Sequence, residues 1–197
     1  MKITDIFTSS GMSRGIEVKG DIPDTKTLYK GFMLMAWPAV VESVLMSLVN
    51  LVDTMMVSNC GTNAVAAVGV TTQPRMIFYA VFFALSIAVT AIVSRRRGQE
   101  DREGANACLS QSLGLVAVLA VILCGTAIFV SEPLLYFAGA NEETIADATT
   151  YYRITIIGLV FTSFGLVINA AQRGCGNTKI SMRTNVTANI TNIIFNA

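Results

Sequence analysis

The 197-residue sequence contains no histidine. That absence removes the commonest imidazole ligand and the usual general base, so a histidine-bearing zinc site and a cysteine–histidine nucleophile pair are both excluded. Charge is scarce as well: Asp, Glu, Lys and Arg make up 14 % of the chain against 53 % apolar residues, where a soluble domain carries about 25 % charged residues. The net charge of +1 gives no electrostatic reason to expect a nucleic-acid partner. The four cysteines, Cys60, Cys108, Cys124 and Cys175, are scattered without a Cys-x-x-Cys pair, so they read as small apolar fillers rather than a redox or metal motif. The first thirty residues lack the apolar run of a cleavable signal. They carry Lys2, Asp5, Arg14, Glu17, Lys19, Asp21, Asp24, Lys26 and Lys30, and residues 1–30 read as a solvated cytoplasmic leader.

What the chain has in abundance is long apolar runs, and its mean hydropathy is +0.58. A soluble fold of this size must present most of its surface to water, whereas lipid removes that restriction. A bilayer core about 30 Å thick is crossed by about 20 helical residues. Four stretches suffice, near residues 32–58, 64–94, 105–130 and 146–172, and a fifth begins near residue 180. Between them lie Asn59-Cys60-Gly61, Gly98 to Gly104, Ser131-Glu132-Pro133 with Gly139-Ala140-Asn141, and Arg173-Gly174-Cys175-Gly176-Asn177. These have turn chemistry: glycine supplies positive φ and proline ends a helical run. The pattern predicts an all-α integral membrane protein, a helical bundle of about five transmembrane helices. The fifth stretch is short of a full span, which suggests a fragment or a truncated gene product.

The basic residues give the orientation. Lys2, Arg14, Lys19, Lys26 and Lys30 precede the first span, Arg95, Arg96, Arg97 and Arg102 fill the second connection, and Arg173, Lys179 and Arg183 flank the fourth, so twelve of the fourteen Lys and Arg lie on one side. The first and third connections have none, and the third carries Glu132, Glu142, Glu143 and Asp147. The positive-inside rule therefore predicts a multi-pass protein of the inner (plasma) membrane with a cytoplasmic N-terminus.

Ionisable groups inside a span are costly, so each is a functional candidate. Glu42 and Asp53 are 11 residues apart in the first span. At 100° per residue they differ by about 20° and point the same way, with Pro38 about 40° and Asn50 about 80° from Glu42. The first helix therefore has a polar stripe that must face protein or water. In the fifth helix Asn185, Asn189, Asn192 and Asn196 follow spacings of 4, 3 and 4, within an arc of about 60°. Such amides can solvate a carboxylate, coordinate a desolvated cation or join helices. Both the ion site and the interhelical contact stay open on this pattern. Arg75, after Gln73-Pro74, is a possible partner for a carboxylate in the bundle. Arg153, after Tyr151-Tyr152, reads as a snorkelling cation beside an interfacial tyrosine pair. Small residues in the second helix (Ala64, Ala66, Ala67, Gly69, Ala80, Ala84, Ala88) and in the third (Ala105, Ala107, Gly114, Ala117, Ala120) are expected to allow close helix approach.

Trp37-Pro38, Glu42, Asn50-Leu51-Val52-Asp53-Thr54-Met55-Met56-Val57-Ser58, Gly61 and Ala64-Val65-Ala66-Ala67-Val68-Gly69 together resemble the first helix and following turn of the multidrug and toxic compound extrusion (MATE) transporters. Ser94-Arg95-Arg96-Arg97-Gly98-Gln99 is similar to that family's "ARxxGQ" turn, and Tyr152-Arg153-Ile154 to its fourth-helix entry. Arg173-Gly174-Cys175-Gly176-Asn177-Thr178-Lys179, then Met182 and Asn192 to Asn196, resembles its "RGxGxTK…M…N–NxxxN" stretch. The ordered set, from about Leu34 onward, carries the resemblance. Ser94 stands where alanine is usual, and Cys175 where a polar residue is commoner.

The resemblance implies two six-helix lobes that alternate between inward and outward openings and export cationic or amphipathic compounds in exchange for H⁺ or Na⁺. Residues 31–197 would be most of the N-terminal lobe, lacking its sixth helix and the second lobe or a partner half. Asp53 matches a cation or proton site, which Asn189, Asn192 and Asn196 would complete. Glu42, Asn50 and Arg75 would line the substrate cavity. The implied partners are a small cationic or amphipathic substrate and the lipid bilayer, with no nucleic acid. The only ion implied is the coupling H⁺ or Na⁺, the latter at Asp53, with no cofactor and no other metal. One alternative is a lipid-linked oligosaccharide flippase, which would need a basic cavity for pyrophosphate. The other is a non-transporting membrane subunit or relic. With no histidine and no serine or cysteine constellation, an enzyme is not expected.

Overall fold

A computed structural model describes residues 24–59 and 61–196, the side chains of residues 35 and 196 excepted. The helices are α1 (Thr25–Ser58), α2 (Thr62–Gly98), α3 (Arg102–Phe129), the short α4 (Ser131–Phe137), α5 (Ile145–Gly174) and α6 (Thr178–Asn196). Among the described residues, α1, α2, α3 and α5 are long and apolar enough to cross a membrane. The fifth expected span, α6, is not one of these four, because Lys179, Arg183 and its threonines and asparagines dilute its apolar residues.

The bundle is organised around α2 and α5, which pack against each other more extensively than any other pair, with α3 closing the core. Their buried positions follow helical periodicity. In α2 they are Ala67, Thr71, Pro74, Phe82, Ser86, Val89 and Val93. In α5 the stripe runs through Ala148, Tyr152, Ile156, Leu159, Ser163, Val167, Ala170 and Gly174, and in α3 through Ser112, Val116, Ala120, Cys124 and Ala127. Steps of three and four, with one of eight from Pro74 to Phe82, keep each stripe on one face. Two buried serines are satisfied locally, Ser86 donating to the Phe83 carbonyl at 2.7 Å and Ser163 to the Val160 carbonyl at 2.6 Å, whereas the buried hydroxyls of Thr149 and Tyr152 have no hydrogen-bond partner among the described residues. One hydroxyl reaches across: Thr90 donates to the Ala170 carbonyl at 3.1 Å.

That bond also fixes direction. Thr90 and Ala170 each lie near the C-terminal end of their helix, so α2 and α5 are parallel. The α5–α6 turn is tight, so α6 runs antiparallel to α5. With only residues 59–61 between α1 and α2, α1 is antiparallel to α2 and therefore parallel to α6. α1 packs chiefly on α6 and only lightly on α2.

Helix ends use one device repeatedly. At the end of α5, Gly176 (φ 71°) donates its N–H to the Arg173 carbonyl and Asn177 donates to the Gln172 carbonyl. At the end of α4, Gly139 (φ 105°) and Ala140 do the same to Tyr136 and Leu135. These are Schellman caps, which need a left-handed residue that glycine adopts without penalty. The end of α2 has the same bonds, from Glu100 to Arg97 and from Asp101 to Arg96, but Glu100 takes the left-handed conformation at φ 58°. Asp101 then caps α3, accepting from the Gly104 N–H at 2.8 Å, and pairs with Arg96 at 2.9 Å.

Several expectations are corrected here. α1 begins at Thr25, so residues 25–30 are already helical; residues 1–23 lie outside the described residues, as does Cys60. Arg95, Arg96 and Arg97 form the last turn of α2, where positive charge suits the helix dipole. Pro133 does not simply end α3: it occupies the first turn of α4, where its missing N–H costs nothing. Of the small residues singled out in α2, Ala66, Gly69, Ala80, Ala84 and Ala88 are exposed and only Ala67 is buried. Periodicity, not residue size, marks the packed face. Tyr152 is fully buried in the core of the bundle. Arg153 is exposed and donates from Nε to the hydroxyl of buried Ser131 at 3.1 Å.

A polar junction between three helices

From Pro38 onward the less exposed positions of α1 are Pro38, Val41, Glu42, Leu45, Val49, Val52, Asp53, Met56 and Val57. At about 100° per residue they fall on one side of the helix. Glu42 and Asp53 therefore share the packed side of α1, as their spacing requires. Around them the helix is open, with Trp37, Val40, Val44, Leu48, Leu51 and Met55 all more than half exposed.

Glu42 meets the amide row of α6 at its first rung. Asn185 donates from Nδ2 to Glu42 Oε1 at 2.5 Å. Asn169 of α5, itself buried, donates from Nδ2 to Asn185 Oδ1 at 3.0 Å. Two amides and one carboxylate thus join α5, α6 and α1 in a line. Each bond is an N–H to oxygen contact, and the last is charge-assisted when Glu42 is ionised. Among the described residues, neither Glu42 nor Arg75 forms an ion pair, so the pairing considered between them is not made. Arg75 is half-buried on α2, beside buried Pro74.

The junction sets the register of the other candidates. In parallel helices, a contact between residues 42 and 185 brings residues 53 and 196 to a common level about 16 Å further along, at 1.5 Å per residue. Asp53 is half-buried, and neither Asp53 nor Asn192 is without a partner. Asn189 is half-buried, whereas Asn192 is exposed. The side chain of Asn196 lies outside the described residues. Asn50 is exposed and off the packed face; its carbonyl accepts from Thr54 Oγ1 at 2.7 Å. Of the residues marked in the sequence, the structure joins Glu42 to Asn185 and leaves Asn50 and Arg75 apart from that contact.

Asn169 is the member of the junction that sequence reasoning missed. A lone amide in the apolar stretch Leu166-Val167-Ile168-Asn169-Ala170-Ala171 was the available signal, since a polar group inside a span needs a partner. It lies four residues before Arg173, whose Nη1 donates to the hydroxyl of buried Ser181 at 3.3 Å. Gly174 follows, and a Cβ there would lie 2.9 Å from the Thr90 carbonyl oxygen and 3.0 Å from Val93 Cβ. Gly176 makes the turn. The run from Arg173 to Gly176 therefore does structural work: it ties α5 to α6, lets α5 touch α2, and starts α6 so that Asn185 faces Asn169. Beside it, Arg97, Glu100, Asp101, Arg102, Asn106 and Cys175 line a cleft of about 720 Å³ at the basic end of the bundle.

The polar junction, the apolar spans and the basic end together define a membrane-embedded helical lobe of the transporter type. The MatE family model matches residues 38–197, and the chain belongs to that family. It is 27 % identical over 163 residues to the uncharacterized transporter YisQ of Bacillus subtilis, covering 82 % of this chain and 36 % of YisQ. It is 22 % identical over 185 residues to the multidrug resistance protein PmpM of Pseudomonas aeruginosa, covering 94 % of this chain and 37 % of PmpM. An outward-facing multidrug resistance MATE transporter of the MOP superfamily superposes with a TM-score of 0.80 at 28 % identity, covering 85 % of this chain and 37 % of that one. The chain spans little more than a third of the length of the curated relatives it matches.

Proposed function

We propose that the chain forms most of the N-terminal lobe of a secondary antiporter that exports cationic or amphipathic compounds in exchange for H⁺ or Na⁺. In this reading the protein lies in the plasma membrane with its basic end, and its N-terminus, in the cytoplasm. The observation that carries it is the pair of carboxylates on the packed face of α1, one of them held by an amide of α6. An ionised carboxylate in a span is expensive unless compensated. Asp53 serves as the exchange site for the coupling ion, with Asn189, Asn192 and Asn196 as neutral ligands. Glu42, Asn50 and Arg75 belong to the cavity that admits the substrate. The multidrug resistance relative PmpM supports the substrate class. A flippase for a pyrophosphate-linked lipid needs basic groups at its site, and the junction here is acidic and amide in character.

The test is efflux of a cationic dye from proteoliposomes, using a full-length transporter that contains this chain. Asp53→Asn is expected to abolish ion-driven efflux with unchanged expression and folding. Efflux at the wild-type rate would remove Asp53 from the mechanism.

A further inference from the structure

At the basic end of the bundle, the α2–α3 turn and the α5–α6 turn meet at the cleft of about 720 Å³. Helix lengths set its depth in the membrane. With 28 and 30 residues, α3 and α5 are about 42 and 45 Å long. A bilayer with its headgroup layers is about 40–45 Å thick. The turns at the ends of these helices therefore lie at headgroup level.

The charges at the cleft are unequally spent. Asp101 is occupied at both oxygens: Oδ2 accepts from Arg96 at 2.9 Å and Oδ1 from the Gly104 N–H at 2.8 Å. Arg97, Arg102 and Glu100 are all exposed, and none of them forms an ion pair among the described residues. Two uncompensated arginines against one glutamate leave the cleft with one positive charge in excess. Arg97 is also aimed across it. A Cβ on Gly176 would strike the Arg97 guanidinium, so that group lies over the α5–α6 turn, next to Cys175. Arg102 and Asn106, four residues apart on the first turns of α3, share a face of that helix and line the cleft with it.

We propose that this cleft binds the phosphate of one anionic phospholipid, held between Arg97 and Arg102 with the Asn106 amide as a further donor. A guanidinium presents paired N–H groups that match two phosphate oxygens, and charge-assisted bonds of this kind are the strong ones. The single charge of a phosphodiester balances the excess of the cleft. Basic pockets between helices on the cytoplasmic side are where acidic headgroups bind. The bound lipid joins the α2–α3 turn to the α5–α6 turn, which no ion pair connects among the described residues. The inference rests on the membrane-embedded bundle and its cleft, not on transport, so it stands or falls apart from the antiport reading.

The experiment is native mass spectrometry of the chain released from detergent micelles carrying phosphatidylglycerol, phosphatidylethanolamine or phosphatidylcholine. One phosphatidylglycerol is expected to stay bound in preference to the other two lipids. Arg97→Gln and Arg102→Gln should each weaken its retention about fivefold, and the double variant should erase the preference. Arg95→Gln and Lys179→Gln remove the same charge from exposed positions outside the cleft lining, and retention should be nearly unchanged. Glu100→Gln removes the opposing charge and should tighten binding. All these side chains lie outside the packed stripes, and circular dichroism checks that each variant keeps its helices; the single variants carry the test if the double variant does not fold. Equal losses from Arg95→Gln and Arg97→Gln would mean a diffuse basic surface and no site. A preference for phosphatidylethanolamine that Glu100→Gln abolishes would assign the cleft to a zwitterionic headgroup. Inorganic phosphate, followed by its ³¹P line width, is the second probe: broadening that needs both arginines, with no preference for phosphatidylglycerol, would hand the cleft to a free anion. Each of these three results would overturn the proposal.

Discussion

The lobe has two parts built by different means. α2, α3 and α5 interlock through continuous stripes of apolar and small hydroxyl side chains, with Phe82, Tyr152, Ile156 and Val116 fully buried. α1 offers lipid-sized apolar groups outward, leans mainly on α6, and is joined to α6 by a hydrogen bond from Asn185 to Glu42. In lipid no hydrophobic force separates buried from exposed apolar surface, so packing and polar contacts decide association. The core is therefore specified by shape, and the attachment of α1 by polar chemistry. An element held by a few switchable polar contacts can change position at small cost, whereas an interdigitated one cannot.

Truncating the core should produce the largest contrast. Phe82→Ala is expected to destabilise the lobe by about 3–5 kcal/mol, whereas Leu48→Ala, on the open face of α1, should stay within about 0.5 kcal/mol. Reversible unfolding in mixed micelles checks both. Equal losses would erase the distinction between the two parts. A sharper probe is the contact of α5 on α2. Gly174→Val puts atoms against the Thr90 carbonyl and Val93, and overpacking of this kind costs about 1–3 kcal/mol. The same measurement should show this loss, and cysteine accessibility along α1 should be unchanged. The smallest effect is a gain: Glu100→Gly relieves a left-handed non-glycine cap at φ 58° and is expected to stabilise the α2–α3 turn by up to about 1 kcal/mol, net of glycine's extra unfolded-state entropy.

Much of this was legible in the sequence, and the rest was not for physical reasons. The shared face of Pro38, Glu42 and Asp53 followed from helical angles alone, because a helix has one period whatever surrounds it. The amide row of α6 was visible for the same reason. Which rung would meet which carboxylate was not, because the offset between two helices depends on the turn at Gly176 and on how far α1 rises beside α6. Asn169 went unnoticed because a single amide has no periodicity to announce it; its meaning lies in Asn185, sixteen residues on. α4 was hidden by Pro133, which stops a helix when inside it but is harmless in its first turn. Tyr152 resembled an interfacial residue by composition, yet its place in the stripe between Ala148 and Ile156 puts it in the core.

The attachment of α1 through Glu42 and Asn185 is tested most directly by a double-mutant cycle. Glu42→Leu, Asn185→Leu and the double variant are compared in reversible unfolding. If the two side chains hold each other, each single change strands a polar partner or removes the bond, and the double change costs less than the sum by about 0.5–2 kcal/mol. Strict additivity would mean that the carboxylate and the amide do not depend on one another, and that α1 is held to α6 by something else.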